Sequence, residues 1–402
     1  MKHRKETITA LLFLAATLLA FCYVGYLALT GQSAFRKELG LLRRDPGYVT
    51  EFVSTAEGKL NEDLDREHGF IQLYGGFQRL AGRRVLEDVD LSARVVKLKN
   101  GALNFAYLSV EPIDIAPQAG AVNGLSQALE ARDIPFLYVA APQKIPSGAD
   151  LLPTGLREYG NDNGDRLLAA LDEAGTDTLD LRPLFEATED YSSWFFRTDH
   201  HWKPEAAFLA WQHLTRVLEE DYGIITDPLC TDESQYDKVV YEDWFLGSQG
   251  KRCGSLYAGV DDITAYIPRF ETDFTYTCPF YAIDRSGPFE ESLLFPERVA
   301  ERDWFNGNPY TLYAGGDYPQ ATIVNHRNPD GKRVVLLRES FACAMTPFLA
   351  LSCSELTTID LRSFQGDLLE TIEGLRPDLV MVLYSVSSIG SQPLFQFGLE
   401  AP

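Results

Sequence analysis

The spacing of apolar residues changes several times along the chain, and each change predicts an element. Residues 7–35 carry no charge, and 8–29 are apolar apart from Thr9, Thr17 and Gly25. At ~1.5 Å per residue a helix of that length reaches about 30 Å, enough to cross a hydrocarbon core. Residues 31–93 follow with mixed charge and scattered apolar positions, the pattern of a stalk or helical spacer. Residues 93–110 read as two extended runs around Asn100-Gly101, a hairpin signal. From there short apolar runs alternate with helical periodicity. Helices are predicted over 123–132, 166–173, 204–220, 341–351 and 368–375. Strands are predicted over 135–141, 176–181, 333–337, 356–361 and 378–384. Residues 227–328 break this rhythm with short alternating runs rich in Tyr, Phe, Asp, Thr and Gly, and read as a β-rich insertion. Strands alternating with helices imply an α/β fold, a mostly parallel sheet with helices on both faces. The expected organisation is a tail at 1–6, a transmembrane segment at 7–30, a spacer at 31–93 and an α/β domain at 94–402.

The chain is strongly acidic, with a formal net charge of −22 over 402 residues. That excludes nucleic acid as a partner, because phosphate neutralisation needs a basic surface. Basic residues nonetheless gather at the N-terminus, where Lys2, Arg4 and Lys5 stand against Glu6. The positive-inside rule keeps that tail in the cytoplasm, so the segment is expected to be an uncleaved signal anchor. The protein would then be a single-pass protein of the cell membrane with its main domain extracytoplasmic. A cleaved signal peptide is the other reading; its apolar core is normally about 7–15 residues, and residues 26–29 are a weak cleavage site. Five of the six cysteines, Cys230, Cys253, Cys278, Cys343 and Cys353, fall outside that segment, so at most two bridges form within one chain, and no spacing suggests zinc.

Two places where strand meets loop carry candidate chemistry. The first is Thr198-Asp199-His200-His201-Trp202, just before the helix that Pro204 opens. Adjacent His beside Asp suits either a metal site, which would need further ligands, or a base with its orienting carboxylate. The second is Arg338-Glu339-Ser340-Phe341, where a strand runs into a serine and a helix follows at once. That turn presents a hydroxyl at the sheet edge beside backbone N–H groups, which suits a nucleophile. Lys144, Arg362 and Tyr384 also stand at predicted strand ends and are candidate substrate-binding residues. His326, before the serine strand, is an alternative base. His200 reads as a loop residue and Trp202 as packing.

Together these blocks resemble the SGNH hydrolase-like proteins of the AlgX/AlgJ type, which act in alginate O-acetylation, and still more the bacterial DHHW family. Residues 198–202 followed by Pro204-Glu205-Ala206-Ala207 carry the resemblance. Gly315-Gly316-Asp317-Tyr318-Pro319, residues 334–341, Thr346-Pro347-Phe348-Leu349, Ile359-Asp360-Leu361-Arg362 and Pro377-Asp378-Leu379-Val380 extend it in order. The resemblance implies an SGNH-hydrolase-like, flavodoxin-like fold with permuted motif order. It implies Ser340 as nucleophile, His201 as general base and Asp199 as its orienter, with no metal or diffusible cofactor. It implies an O-acetyltransferase or acetylesterase acting on a cell-surface glycan, with a membrane-bound O-acyltransferase as acetyl donor. The sequence departs from the pattern at Glu339, where the family usually has Asp, at Arg338 in place of Gly, and at Ala206 where the signature has Gly. The alternative is a non-catalytic glycan-binding or assembly protein on a degenerate SGNH fold.

Overall fold

The computed structural model describes residues 2–44, 48–64, 68–88, 94–105 and 112–398. The chain divides into two units, residues 1–81 and 82–402. The first unit is helical: Lys2–Leu29, Ala34–Arg44, Val49–Leu64 and Gly69–Leu80. Its second and third helices are joined by a buried carboxylate, Glu38, which accepts from Tyr48 at 2.6 Å and Thr55 at 2.9 Å. Among the described residues no single helix is long and apolar enough to cross a membrane. Thr17–Leu29 and Ala34–Leu41, bent by 61° at their break, meet that requirement only as a pair. The single straight span expected at 7–30 is therefore not supported. The chain turns at residues 30–33, where Gly31 adopts φ 76°, and divides the described apolar stretch between two helices. The boundary between the two units falls at residues 81–82.

The second unit is built on an eight-stranded sheet. In chain order its strands are β1 (Phe136–Ala141), β2 (Thr178–Asp180), β3 (Phe274–Cys278), β4 (Ile283–Gly287), β5 (Gln320–Asn325), β6 (Arg333–Arg338), β7 (Glu355–Ile359) and β8 (Leu379–Ser385). Their order across the sheet is β2-β1-β8-β6-β7-β5-β3-β4. The pairs from β2 through β7 are parallel, and β5, β3 and β4 continue the sheet antiparallel. The expected α/β fold thus holds, with a mixed sheet. Residues 227–328 are only partly an insertion. Strands Tyr236–Phe245 and Asp261–Pro268 form a separate two-stranded sheet, but β3 and β4 extend the main one.

The central strands are apolar on both faces, and alternate residues serve different cores. Leu379, Met381 and Leu383 of β8 join one core, while Val380, Val382 and Tyr384 join the other. The first core is covered by α3 (Pro204–Tyr222) and α4 (Ala342–Ala350), through residues such as Trp211 and Phe348. The second is covered by α1 (Ala116–Glu130), α2 (Gly160–Glu173) and α5 (Leu368–Leu375). Helices α3 and α4 both run close to prediction. Pro204 sits at the first turn of α3, where its missing N–H costs nothing, and Gly223 ends the helix in the left-handed region at φ 63°. The predicted hairpin is present as Val95–Lys97 against Leu103–Phe105, turning at Gly101 with φ 89°. Its remainder at 93 and 106–110 lies outside the described residues. All six cysteines are free, and the five beyond residue 81 are buried separately, so the bridges considered from the sequence are not formed.

Candidate active site

Strands β1, β6 and β8 point their carboxyl ends to one edge of the sheet, where ligands of open α/β folds bind. A cleft of about 780 Å³ opens there. Gln143 after β1, Glu339 and Ser340 after β6, Ser387 and Ser388 after β8, and Arg362 after β7 line it, with His200 across from them.

Ser340 stands in the turn between β6 and α4. His201 comes from a different part of the chain, the tip of a loop closed by an antiparallel bridge between Phe195 and Trp202. His201 Nε2 lies 2.8 Å from Ser340 Oγ. His201 Nδ1 lies 2.5 Å from Asp199 Oδ1. The other Asp199 oxygen accepts from the Ser248 N–H at 2.6 Å. A buried Asp261 on the neighbouring two-stranded sheet holds the loop from below, accepting from Arg197 N at 2.9 Å, Thr198 N at 2.7 Å and Thr198 Oγ1 at 2.6 Å. Gly247 completes the cradle: its N–H donates to Thr198 Oγ1 at 2.9 Å, and a Cβ there would meet Asp199 Cβ at 2.2 Å. The loop is therefore fixed on three sides by groups remote in sequence.

The His201 ring is also held flat. Tyr310 stacks on it with centroids 4.0 Å apart and 12° between planes. Tyr310 Oη and Trp202 Nε1 both donate to Phe341 O, at 2.9 and 2.8 Å, which ties the base loop to the start of α4. Trp202 is fully buried, so it is packing, as its sequence reading had it. Tyr310 was missed. It lies in the irregular 227–328 region, where nothing local distinguishes it from other aromatics.

Charge is arranged with opposite pushes on two carboxylates. Burial alone would raise Asp199, but the His201 and His200 rings and the Ser248 N–H outweigh it and hold the carboxyl well below its ordinary range. Glu339 is pushed up by burial, which the Ser385 N–H and the neighbouring His201 ring and Arg362 guanidinium only partly offset. Its oxygens accept from Ser385 N at 3.0 Å, Ser340 Oγ at 3.2 Å and Phe341 N at 3.4 Å. Environments that separate two carboxylates in this way mark acid–base sites. His200 is pushed down by burial and by the His201 ring 3.8 Å away, so it stays neutral, with Nδ1 against Ser248 Oγ at 3.0 Å. Asp199, His200 and His201 each offer a ligand atom within 4.8 Å of the others. Both His201 nitrogens are already engaged, by Asp199 and by Ser340, so an ion there would have to break those two contacts.

The remaining candidates divide. Arg362 lines the cleft, held by Asp360 at 2.6 Å and Asp317 at 2.9 Å. Asp317 also pairs with buried Arg338, and burial, which would raise it, loses to these two cations. The block around Asp317 was legible in the sequence, but its bridging role was not. Lys144 is buried and spends its protons on Leu103 O at 2.5 Å, Asp199 O and Gln249 Oε1 at 3.1 Å. It supports the base loop and does not face the cleft, contrary to the substrate-binding expectation. Tyr384 points into the second core, donating to Leu394 O at 2.9 Å, and likewise does not reach the cleft. His326 bonds Thr275 Oγ1 at 2.8 Å beyond Asn325, at the end of the sheet where the parallel strands begin. It is thus on the wrong edge to act on Ser340.

Residues 107–235 match the family described as SGNH hydrolase-like domain, acetyltransferase AlgX. The alginate biosynthesis protein AlgX of Pseudomonas aeruginosa is 30% identical over 107 residues, 26% of this chain and 21% of that protein. The chain thus matches about a fifth of that relative's length. Among solved structures, Bacillus cereus PatB1 with a sulfonyl adduct superposes with a TM-score of 0.63 at 21% identity, covering 78% of this chain and 98% of that one. A DHHW family protein from Eubacterium siraeum gives 0.57 at 18% identity, covering 78% and 96%. The family match contains Asp199 and His201 and stops before Ser340, which the comparisons reach through the fold alone. The resemblance read from the sequence therefore holds: residues 107–235 are similar to the SGNH hydrolase-like domain of the AlgX type, and the chain shares its fold with PatB1 and a DHHW family protein.

Proposed function

We propose that this chain is an SGNH-type O-acetyltransferase that places acetyl groups on a cell-surface polysaccharide, with Ser340 as nucleophile, His201 as general base and Asp199 as its orienter. The observation that carries the reading is the continuous path from Asp199 through His201 to Ser340, 2.5 and 2.8 Å, at the wall of the cleft. His201 Nε2 takes the Ser340 proton as Oγ attacks the acetyl carbonyl, and Asp199 stabilises the imidazolium through Nδ1–H. Collapse of the tetrahedral adduct returns the proton to the leaving oxygen and leaves acetyl-Ser340. A sugar hydroxyl then gives its proton to His201 as it takes the acetyl group, and His201 passes that proton to Ser340 Oγ as it leaves. Water in place of the sugar would make the same site an esterase. The acetyltransferase in the family description and the alginate biosynthesis in the relative's name support this class.

In this reading the N-terminal helical unit attaches the protein to the cell membrane with residues 1–6 cytoplasmic and the α/β unit outside. A membrane-bound O-acyltransferase supplies the acetyl group. The uncharged stretch at 7–35 supports attachment. The test is turnover of a chromogenic acetyl ester by the full chain, with and without polysaccharide acceptor. Ser340→Ala and His201→Ala should each lose about a thousand-fold or more in kcat. Absent turnover, or turnover unchanged in both variants, would sink the proposal, and glycan retention without turnover would favour the non-catalytic alternative.

A further inference from the structure

A second groove, of about 340 Å³, lies on the same edge of the sheet as the cleft. It is formed by the end of β3, the start of β5 and the chain after β7: Thr277, Phe280, Gln320, Ser363, Phe364 and Gln365 are among its walls. The register fixes its position, since Gln320 pairs with Ile359 at the carboxyl end of β7, and Thr322 with Thr277 near the end of β3. From β6, which carries Ser340, it is three strand spacings of ~4.8 Å to β3, about 14 Å along the edge.

Three features of the groove point to one chemistry. First, the β3–β4 turn projects two aromatic rings into solvent. Phe280, which lines the groove, is 72% exposed, and Tyr281 beside it is 53% exposed, with ring centroids 5.1 Å apart and planes at 66°. Ala282, a non-glycine residue at φ 52°, holds that turn in the left-handed region. Second, no residue lining the groove is charged, although 23% of the chain is. Third, the side-chain amides of Gln320 and Gln365 have no partner among the described residues, so each offers both donors and acceptors. Exposed rings beside neutral, bidirectional hydrogen-bonding groups match a pyranose, which has an apolar C–H face and a hydroxyl edge. A charged polymer unit would find no counter-charge here.

The groove and the cleft are linked by one chain segment. Arg362 lines the cleft and its neighbour Ser363 lines the groove. A single loop spans both: Asp317 binds Arg338 and Arg362 behind Ser340, while the next residue, Tyr318, lies with its ring 5.1 Å from that of Tyr281.

We propose that this groove is a saccharide subsite, in which Phe280 stacks on a neutral pyranose unit, Tyr281 flanks that unit edge-on, and Gln320 and Gln365 bond its hydroxyls. Resting on the acetyl-transfer reading above, the bound unit belongs to the same polymer whose acetylated unit lies at Ser340. The subsite would hold the chain in register so that successive units present the same hydroxyl to the nucleophile.

The experiment is calorimetric binding of neutral hexasaccharides (cello-, chito-, malto- and xylohexaose) to the full chain carrying Ser340→Ala, which removes turnover from the measurement. At least one should bind. Phe280→Ala/Tyr281→Ala should weaken that binding tenfold or more with an unchanged melting temperature, and Phe280→Trp/Tyr281→Trp should retain it. Failure of every hexasaccharide to bind would overturn the subsite, as would equal binding by the double alanine variant. Tighter binding of a hexagalacturonate than of any neutral chain, abolished by the same two alanines, would overturn the neutral class. An inactive ester assay beside ring-dependent binding would instead defeat the acetyl-transfer reading and leave the subsite standing.

Discussion

Replacing Gly247 by alanine perturbs the proposed triad without touching any of its members. The new Cβ would lie 2.2 Å from Asp199 Cβ, 2.6 Å from its Cα and 2.7 Å from its N. Ordinary contact begins at 3.4 Å, so one of the two segments has to give by about 1.2 Å. Neither is free to do so. Asp199 O is held by Lys144, its carboxylate by Ser248 N and His201, and the preceding Thr198 by Asp261. Gly247 N is itself bonded to Thr198 Oγ1. A displacement of that size breaks the 2.5 Å contact that orients His201. Misplacing a catalytic group by ~1 Å costs roughly a hundred-fold in rate, or about 3 kcal/mol of barrier. Overpacking adds about 1–3 kcal/mol of lost stability. The assay is kcat on an acetyl ester together with the melting temperature. Gly120→Ala is the matched control: it lies on α1 with nothing within 4 Å, so the rate should not change and stability should rise by about 0.5–1 kcal/mol. Because Gly247→Ala acts through Asp199, combining it with Asp199→Asn should cost little more than the larger single change. A Gly247→Ala chain with kcat within threefold of the parent and an undiminished melting temperature would refute this account of the loop.

Lys144→Met leaves the acceptors on Leu103, Asp199 and Gln249 without their cation, a loss of about 1–3 kcal/mol in urea unfolding. Burial pushes Lys144 down to about 8, so the unfolded chain holds this proton more tightly. Parental stability should therefore rise with pH from about 8 towards ~10.4, by at most about 3 kcal/mol, a slope that the methionine variant should lack. Glu339 has the opposite sign for a carboxyl: its folded affinity for a proton is raised, so the parent should lose stability relative to Glu339→Gln as pH climbs above ~4.3. Urea unfolding at pH 4, 5, 6 and 7 measures that divergence, and parallel curves would contradict it. Tyr310→Phe keeps the ring against His201 and drops only the bond to Phe341 O, so about 1 kcal/mol of stability and little rate should go. Tyr310→Leu removes the stack as well, and kcat on the acetyl ester should fall tenfold or more.

What the sequence disclosed follows from how far each signal reaches. The parallel strands were legible because two-faced burial makes them short, continuous apolar runs, as in residues 334–337 and 379–383. The antiparallel extension was not. Strands β3 and β5 bury alternate residues, a pattern that also describes a separate subdomain, and only the register of Thr322 with Thr277 and Thr357 assigns them to the main sheet. Lys144 was misread for a similar reason. A cation just past a strand end looks like a ligand contact, and the three acceptors that bury it come from residues 103, 199 and 249. Tyr384, by contrast, was decidable. It keeps the period of Val380 and Val382, which belong to the second core, so its ring had to face inward.

The departure at residue 339 has a geometric reading that the sequence alone could not supply. One Glu339 oxygen reaches the Ser385 N–H at the end of β8, and the other meets Ser340 Oγ and Phe341 N in the turn after β6. One side chain thereby joins the carboxyl ends of the two neighbouring strands between which the cleft opens. Aspartate is shorter by one methylene, and from the same backbone it would reach one of these groups at the expense of the other. Arg338 fits the same logic. A glycine there would leave Asp317 with Arg362 as its single cation, whereas the buried guanidinium bonds Gly316 O at 2.8 Å and pairs with Asp317. Each of the two substitutions that set this serine turn apart from the simpler pattern thus adds a tie between the Ser340 turn and a neighbouring segment. Their physical effect is a stiffer elbow, with Ser340 Oγ still 2.8 Å from His201 Nε2.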